Sequence, residues 1–352
     1  MPDEPTIDPV LMRGLTERRL GRRDFLRMGG AGAAAVGAGA LLAACGVKGT
    51  GASPTTAGAG SATTKSTASA VEAYWSGKKQ TPQVTWAQWP LYIDVSSTNK
   101  NDHPSIDAFE KATGIKVHYD EVIQDDGPFF AKVQPTLSAG QYSGYDLAVI
   151  TNGIYFTKFQ ELGYFVPLDH SKLPNFTKYA GPKYKNETFD PGNKYSIPWQ
   201  SGFTGIGYNP KYVGNDIKSF WELWNPKYKG KIGMFGDLED LPDAVLAAMF
   251  GDPTKTGPKQ WRAAAKKLMA QKNAGLVRKY SKQNYIASLK NGDLWISQAW
   301  SGDIFQANAS GGTQLKFVMP EQGGLLWTDN LVILKETKNP VSAIMLADWY
   351  YQ

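Results

Sequence analysis

The chain has 352 residues, 42% hydrophobic and 20% charged, with 11 Trp, 17 Tyr, one Cys and a formal net charge of +6. That length supports two lobes with separate cores, and a mild positive excess with no basic block excludes a nucleic-acid-binding reading. A single Cys excludes an intramolecular disulfide and a Cys-based structural zinc site. Residues 1–44 carry six Arg and five acids, so the remainder holds +6 − 1 = +5. Such a balance still allows a local cluster of acids to hold a cation.

At the N-terminus, Gly21-Arg22-Arg23-Asp24-Phe25-Leu26-Arg27 resembles a twin-arginine export signal. The run from Met28 to Ala44 is too short and too rich in Gly and Ala for a good spanning helix. It closes on Leu42-Ala43-Ala44-Cys45, which resembles a bacterial lipoprotein signal. On that resemblance residues 1–44 are removed and Cys45 carries the lipid. Residues 45–81, dominated by Gly, Ala, Ser and Thr, read as a flexible tether.

From Gln83 the pattern alternates strands and helices. Val84–Trp89 reads as a strand and Pro104–Gly114 as a helix with Pro at its start and Gly at its end. Ile115–Tyr119 reads as a strand, Phe129–Gly140 as a helix, Tyr145–Ile150 as a buried strand and Tyr155–Gly163 as a helix. This βαβαβα run predicts an α/β fold with a parallel sheet, whose ligands bind beyond the carboxyl ends of the strands. A second block starts near Gly202. Strands are expected at Phe203–Tyr208, Ile232–Phe235, Asp293–Trp300 and Leu315–Val318, and helices at Asp243–Phe250, Pro258–Ala270 and Ile304–Ala309. Gly323-Gly324-Leu325-Leu326-Trp327-Thr328-Asp329-Asn330 leads into a last strand, Leu331–Leu334. The chain then stops within a helical pattern, as a truncated C-terminus would.

Four acid–aromatic groupings stand at strand ends. Trp327 and Asp329 are two apart, so on a strand they share a face. Trp300 is followed by Asp303, Trp89 and Tyr92 follow the first strand with Asp94 just beyond, and Asp237 and Asp240 follow the strand ending at Phe235. An indole face beside a carboxylate suits a ligand that is both cationic and rich in methylenes. The competing local account of Asp240 is capping, with Asp243 at the third helical position. Enzyme chemistry finds no support: His103, His118 and His170 make no metal-ligand spacing, and neither a G-x-S-x-G elbow nor a P-loop occurs.

Trp89-Pro90-Leu91-Tyr92, Phe109–Val117, Tyr145-Asp146-Leu147, Phe189–Trp199, Trp221–Trp224, Tyr228–Ile232, Trp300–Asp303 and the octet at 323–330, in this order, resemble the spermidine/putrescine-binding proteins of polyamine ABC importers. The resemblance runs from about Val84 to Gln352. It implies a two-lobed periplasmic-binding-protein fold of type II with a cleft between lobes. Lobe 1 would comprise 82–201, with 328–352 returning to it, and lobe 2 would comprise 202–327. Trp327 and Trp300 would flank the methylene chain, with Asp329 at one ammonium and Asp237 and Asp240 at the other. Trp89 and Tyr92 would contribute from lobe 1, and Asp303 would be a further acid. Leu91 stands where the family often has an acid, and Ile154 or Tyr155 where it has a site-lining Tyr. The resemblance further implies a monomeric, non-enzymatic solute-binding lipoprotein without cofactor or metal. It would be tethered at the outer face of the cytoplasmic membrane and serve a permease. The alternative is a binding protein for another cationic or polar solute, such as a quaternary amine.

Overall fold

The computed structural model describes residues 70–99, 101–282, 284–312 and 314–352. The expected export signal, Cys45 and the tether up to residue 69 lie outside the described residues. The far end of the tether is corrected: a short helix over 70–75 buries Trp75, whose indole N–H donates to Pro167 O at 2.8 Å. Val71 and Tyr74 pack on the same core. Three large side chains inside a small-residue stretch are enough to dock it, although they do not change its average composition.

The first core contains the expected βαβαβα run: β1 (Gln83–Gln88), α1 (Pro104–Thr113), β2 (Lys116–Glu121), α2 (Asp126–Ser138), β3 (Leu147–Thr151) and α3 (Ile154–Glu161). β1 pairs in parallel with β2 and β3. Leu147 to Ile150 are fully buried, as a strand covered on both faces requires. α2 starts three residues before the expected Phe129, because Asp125 accepts from Gly127 N at 3.0 Å and caps the helix.

Two strands run longer than their apolar signals. β4 spans Ser196–Tyr208, and, later in the chain, β9 spans Leu325–Ile333. They pair antiparallel along almost their whole length, from Ser196↔Val332 to Thr204↔Leu325, with a register shift between Pro198 and Gln200. Ile197 and Leu331–Ile333 belong to the first core; Ile206 and Leu325 belong to the second. Both strands therefore cross from one core to the other. Their middle residues (Gln200, Ser201, Thr328, Asp329) are polar because they pass the cleft, and that is why periodicity placed the strand starts too late.

Beyond the crossing lie β5 (Ile232–Met234), α4 (Asp240–Phe250), α5 (Pro258–Asn273), β6 (Val277–Tyr280), α6 (Tyr285–Asn291), β7 (Ile296–Trp300), α7 (Ser301–Ala309) and β8 (Lys316–Val318). β6 and α6 carry no expectation from the sequence. The full strand order is β2-β1-β3-β9-β4-β7-β5-β6, with β8 on β4. The sheet is mixed, because β9 and β4 insert antiparallel between the two parallel halves. A last helix, α8 (Pro340–Trp349), returns to the first core through Ala343, Ile344, Leu346 and Ala347. No helix among the described residues is long and apolar enough to cross a membrane.

Candidate functional site

A cavity of about 860 Å³ opens where β4 and β9 cross. It lies within the range of roughly 300–1,000 Å³ typical of small-molecule sites. Of the eight residues singled out in the sequence, seven line it: Trp89, Tyr92, Asp240, Trp300, Asp303, Trp327 and Asp329. The eighth, Asp237, is buried behind it.

Asp329 is 2% exposed. Its two oxygens accept from Tyr92 Oη and Thr151 Oγ1, each at 2.6 Å. Two hydroxyls orient the carboxylate and leave lone pairs for a further donor. Trp327 lies across Gly202 of the paired strand: a Cβ there would collide with the indole Cζ2. Only a glycine lets the ring approach the β4 backbone this closely. The indole nitrogen of Trp327 is buried and has no hydrogen-bond partner among the described residues. Trp89 is fastened by its indole N–H to Val149 O at 3.1 Å and stacks on Tyr92 at 6.2 Å. The turn between them holds Leu91 at φ 62°, the left-handed region.

At the other end, Asp240 accepts from Thr204 Oγ1 at 2.6 Å and from the Trp300 indole N–H at 3.2 Å. It is the first residue of α4; Glu239 is the N-cap. The capping carboxylate is Asp237, whose Oδ1 accepts from Glu239 N at 2.7 Å and Leu241 N at 3.4 Å. The expectation of Asp240 as cap is thus corrected, and Asp240 is left facing the cavity. Asp303 accepts from Tyr285 Oη at 2.7 Å. Asp94 does not replace the missing acid at Leu91: it accepts from the Ser105 hydroxyl and from Ser105 N at the start of α1. Neither Ile154 nor Tyr155 lines the cavity; instead Ile154 N donates to Glu239 Oε1 at 2.8 Å, a contact between the two halves.

Three lining residues of consequence escaped the sequence reading: Asp126, Glu239 and Lys282. Asp126 follows the carboxyl end of β2, the position that open α/β sheets use for ligands, and was legible on that ground. Lys282 sits beside a short strand with no apolar signal and was not. Its ammonium lies 3.4 Å from Asp237 Oδ2, 3.6 Å from Asp240 Oδ2 and 3.6 Å from Asp125 Oδ2.

Crowded, buried acids shape the electrostatics. Burial pushes Asp329 up to about 6, against the two hydroxyls that favour its charged form. Burial raises Glu239 and Asp243 to about 7 each, with Asp240 and Asp237 adding repulsion at Asp243. It raises Asp303 as well, and holds Asp126 well above the ordinary carboxylate range with help from Glu239 and Asp329. Asp237 is raised by burial while Lys282 pulls it down. A cation entering this site relieves both desolvation and mutual repulsion. Among the described residues no group of three or more His, Cys, Asp or Glu is placed to hold a metal ion. The histidines lie outside the cavity.

Residues 144–352 match the bacterial extracellular solute-binding protein family. The chain belongs to that family. Solute-binding relatives extend the likeness over most of the folded part. The spermidine/putrescine-binding periplasmic protein of Escherichia coli is 32% identical over 248 residues, 69% of this chain and 68% of that one. The putrescine/cadaverine-binding protein of Pseudomonas aeruginosa is 30% identical over 266 residues, 71% of this chain and 72% of the other. Among solved structures, the spermidine/putrescine ABC transporter substrate-binding protein PotD of Streptococcus pneumoniae superposes with a TM-score of 0.62 at 26% identity, covering 77% of this chain and 78% of that one. The two-lobed α/β architecture of this binding-protein class is therefore the fold of the chain. The matched solute-binding relatives are binding proteins, not enzymes.

Proposed function

We propose that the protein is the solute-binding lipoprotein of a polyamine ABC importer, capturing spermidine or putrescine in the acidic, Trp-lined cleft and handing it to a membrane permease. The observation that carries this reading is the convergence of Trp89, Tyr92, Trp327 and Asp329 on one side and Trp300, Asp303 and Asp240 on the other, around a single cavity. A polyamine alternates ammonium groups with short methylene chains. Each buried ammonium must meet a carboxylate or a π face, and each methylene run gains from indole cover. Lobe 1 (82–201 with 328–352) and lobe 2 (202–327) close on the ligand because only the closed form touches it from both sides. The monomer is exported by the twin-arginine route and held by lipid on Cys45 at the outer face of the cytoplasmic membrane, where several buried acyl chains, at about 0.8 kcal/mol per methylene, suffice for a stable anchor.

Calorimetry against putrescine, spermidine, glycine betaine and a sugar tests the ligand class. Binding of either polyamine with no heat from betaine supports the reading; betaine binding alone moves the assignment to quaternary amines, and silence from all four removes it. Cys45→Ser should release the full-length protein from the membrane fraction; retention there would disprove the anchor.

A further inference from the structure

The acidic end of the cleft already contains an ammonium. Lys282 is 10% exposed at its side chain, and its nitrogen stands among Asp237, Asp240 and Asp125. It also lies 5.6 Å from the centroid of the Trp300 ring. Among the described residues Asp237 Oδ2 is buried with no hydrogen-bond partner, and the Lys282 ammonium 3.4 Å away compensates it. Asp240 is aimed at the same nitrogen by Thr204 and by the Trp300 indole. Among the described residues that line the cavity, Lys282 is the only base, beside six carboxylates: Asp126, Glu239, Asp240, Asp243, Asp303 and Asp329. The Lys side chain is a butylammonium, chemically an aminobutyl arm, with carboxylates at its head and an indole against it. At the other end Asp329, with Trp327 beside it, receives only hydroxyl donors among the described residues.

We infer that Lys282 is a tethered ammonium that occupies the Asp237–Asp240–Trp300 position and lowers by one the number of charges the cleft takes from its ligand, favouring a diamine over a triamine. This rests on the amine-binding reading above. The Asp237–Asp240 end of the ligand pocket is then bounded by the chain's own cation, and a third ammonium entering there meets a like charge.

The test is calorimetry of putrescine and spermidine on the wild type, Lys282→Met, Lys282→Gln and Lys282→Arg, each checked for a cooperative melt. The expected result is a spermidine-to-putrescine affinity ratio that rises roughly tenfold or more in K282M and K282Q while K282R keeps the wild-type ratio; a ratio unmoved within about twofold in a folded K282M overturns the inference. Amine binding that appears only in the neutral variants overturns it, because the wild-type cleft would then take no diamine. Wild-type binding with an unmoved ratio defeats the tethered ammonium alone, whereas no amine binding by any variant defeats the amine reading with it. Should neither neutral variant fold, a crystal structure of the wild type with putrescine decides. Lys282 remaining within about 4 Å of Asp237 and Asp240 supports the inference, and a ligand nitrogen in its place overturns it.

Discussion

The two acidic ends of the cleft are built from similar parts and stand in different electrical states. At the β9 end Asp329 is held by two neutral hydroxyls, and no ion pair to it occurs among the described residues. At the α4 end Asp237 and Asp240 are held by backbone amides, a hydroxyl and an indole N–H, and they share the Lys282 ammonium. A buried carboxylate with only neutral donors still gains from an external cation; one already paired with a buried lysine gains far less. The difference teaches that resemblance in residue type does not make two subsites equivalent, because occupancy of the charge decides what each can still bind.

Several substitutions break or sharpen this contrast. The largest effect should come from Asp329→Asn, which leaves a ligand ammonium without its counter-charge and should cost about 2–5 kcal/mol of amine affinity by calorimetry. The same change at Asp240 should cost the ligand less, since Lys282 holds that place. Unchanged affinity in D329N would refute the role of the β9 end.

Gly202→Val should act next. Its side chain would collide with the Trp327 indole, so the ring must leave the β4 backbone. Overpacking of this sort costs about 1–3 kcal/mol of stability in a denaturant titration, and amine affinity should fall with it. A variant that is both as stable and as tight as the wild type would show that the indole does not need its present position.

pH separates folding from binding. In the folded chain Glu239 and Asp243 sit near 7 and Asp329 near 6, above their ordinary values of 4.5, 3.8 and 3.8. Raised folded-state values mean that the native state binds the extra protons, so stability without amine should rise as pH falls from about 7 towards 4, and level off below. Amine affinity should move oppositely, weakening over the same window as the carboxylates lose charge. Thermal melts with and without putrescine at pH 8, 6 and 5 read both slopes; parallel slopes would contradict the scheme.

The smallest effect compares the indoles. Trp327→Phe should weaken amine binding by about 0.5–2 kcal/mol, the scale of a cation–π contact. Trp300→Phe should weaken it less, because that ring already faces Lys282. Equal losses would place the ligand at both ends alike.

Much of the fold was legible in the chain. Alternating apolar runs with Pro and Gly at their ends located the first βαβαβα unit to within a few residues, because the local pattern and the tertiary burial agree there. The middle of β4 and the first half of β9 were not legible: Gln200, Ser201, Thr328 and Asp329 are polar where the strands pass the cleft, so hydrophobic periodicity fails at the place where the function lies. Asp237 illustrates a finer failure. The family resemblance implied that it and Asp240 hold one ammonium together, but one caps α4 and lies behind the wall while the other faces the cavity.

The sequence by itself determined that there are two α/β cores, that indoles and carboxylates recur at strand ends, and that the pattern is that of a polyamine-binding family. The first two follow from short-range spacing, which the chain carries locally; the last is a resemblance of motifs in their order along the chain. Only the tertiary structure decided that Lys282, some forty residues from Asp237 and more than a hundred and fifty from Asp125 along the chain, puts its ammonium among them. Charge pairing across a fold depends on where separate elements meet in space, and no local spacing encodes that meeting.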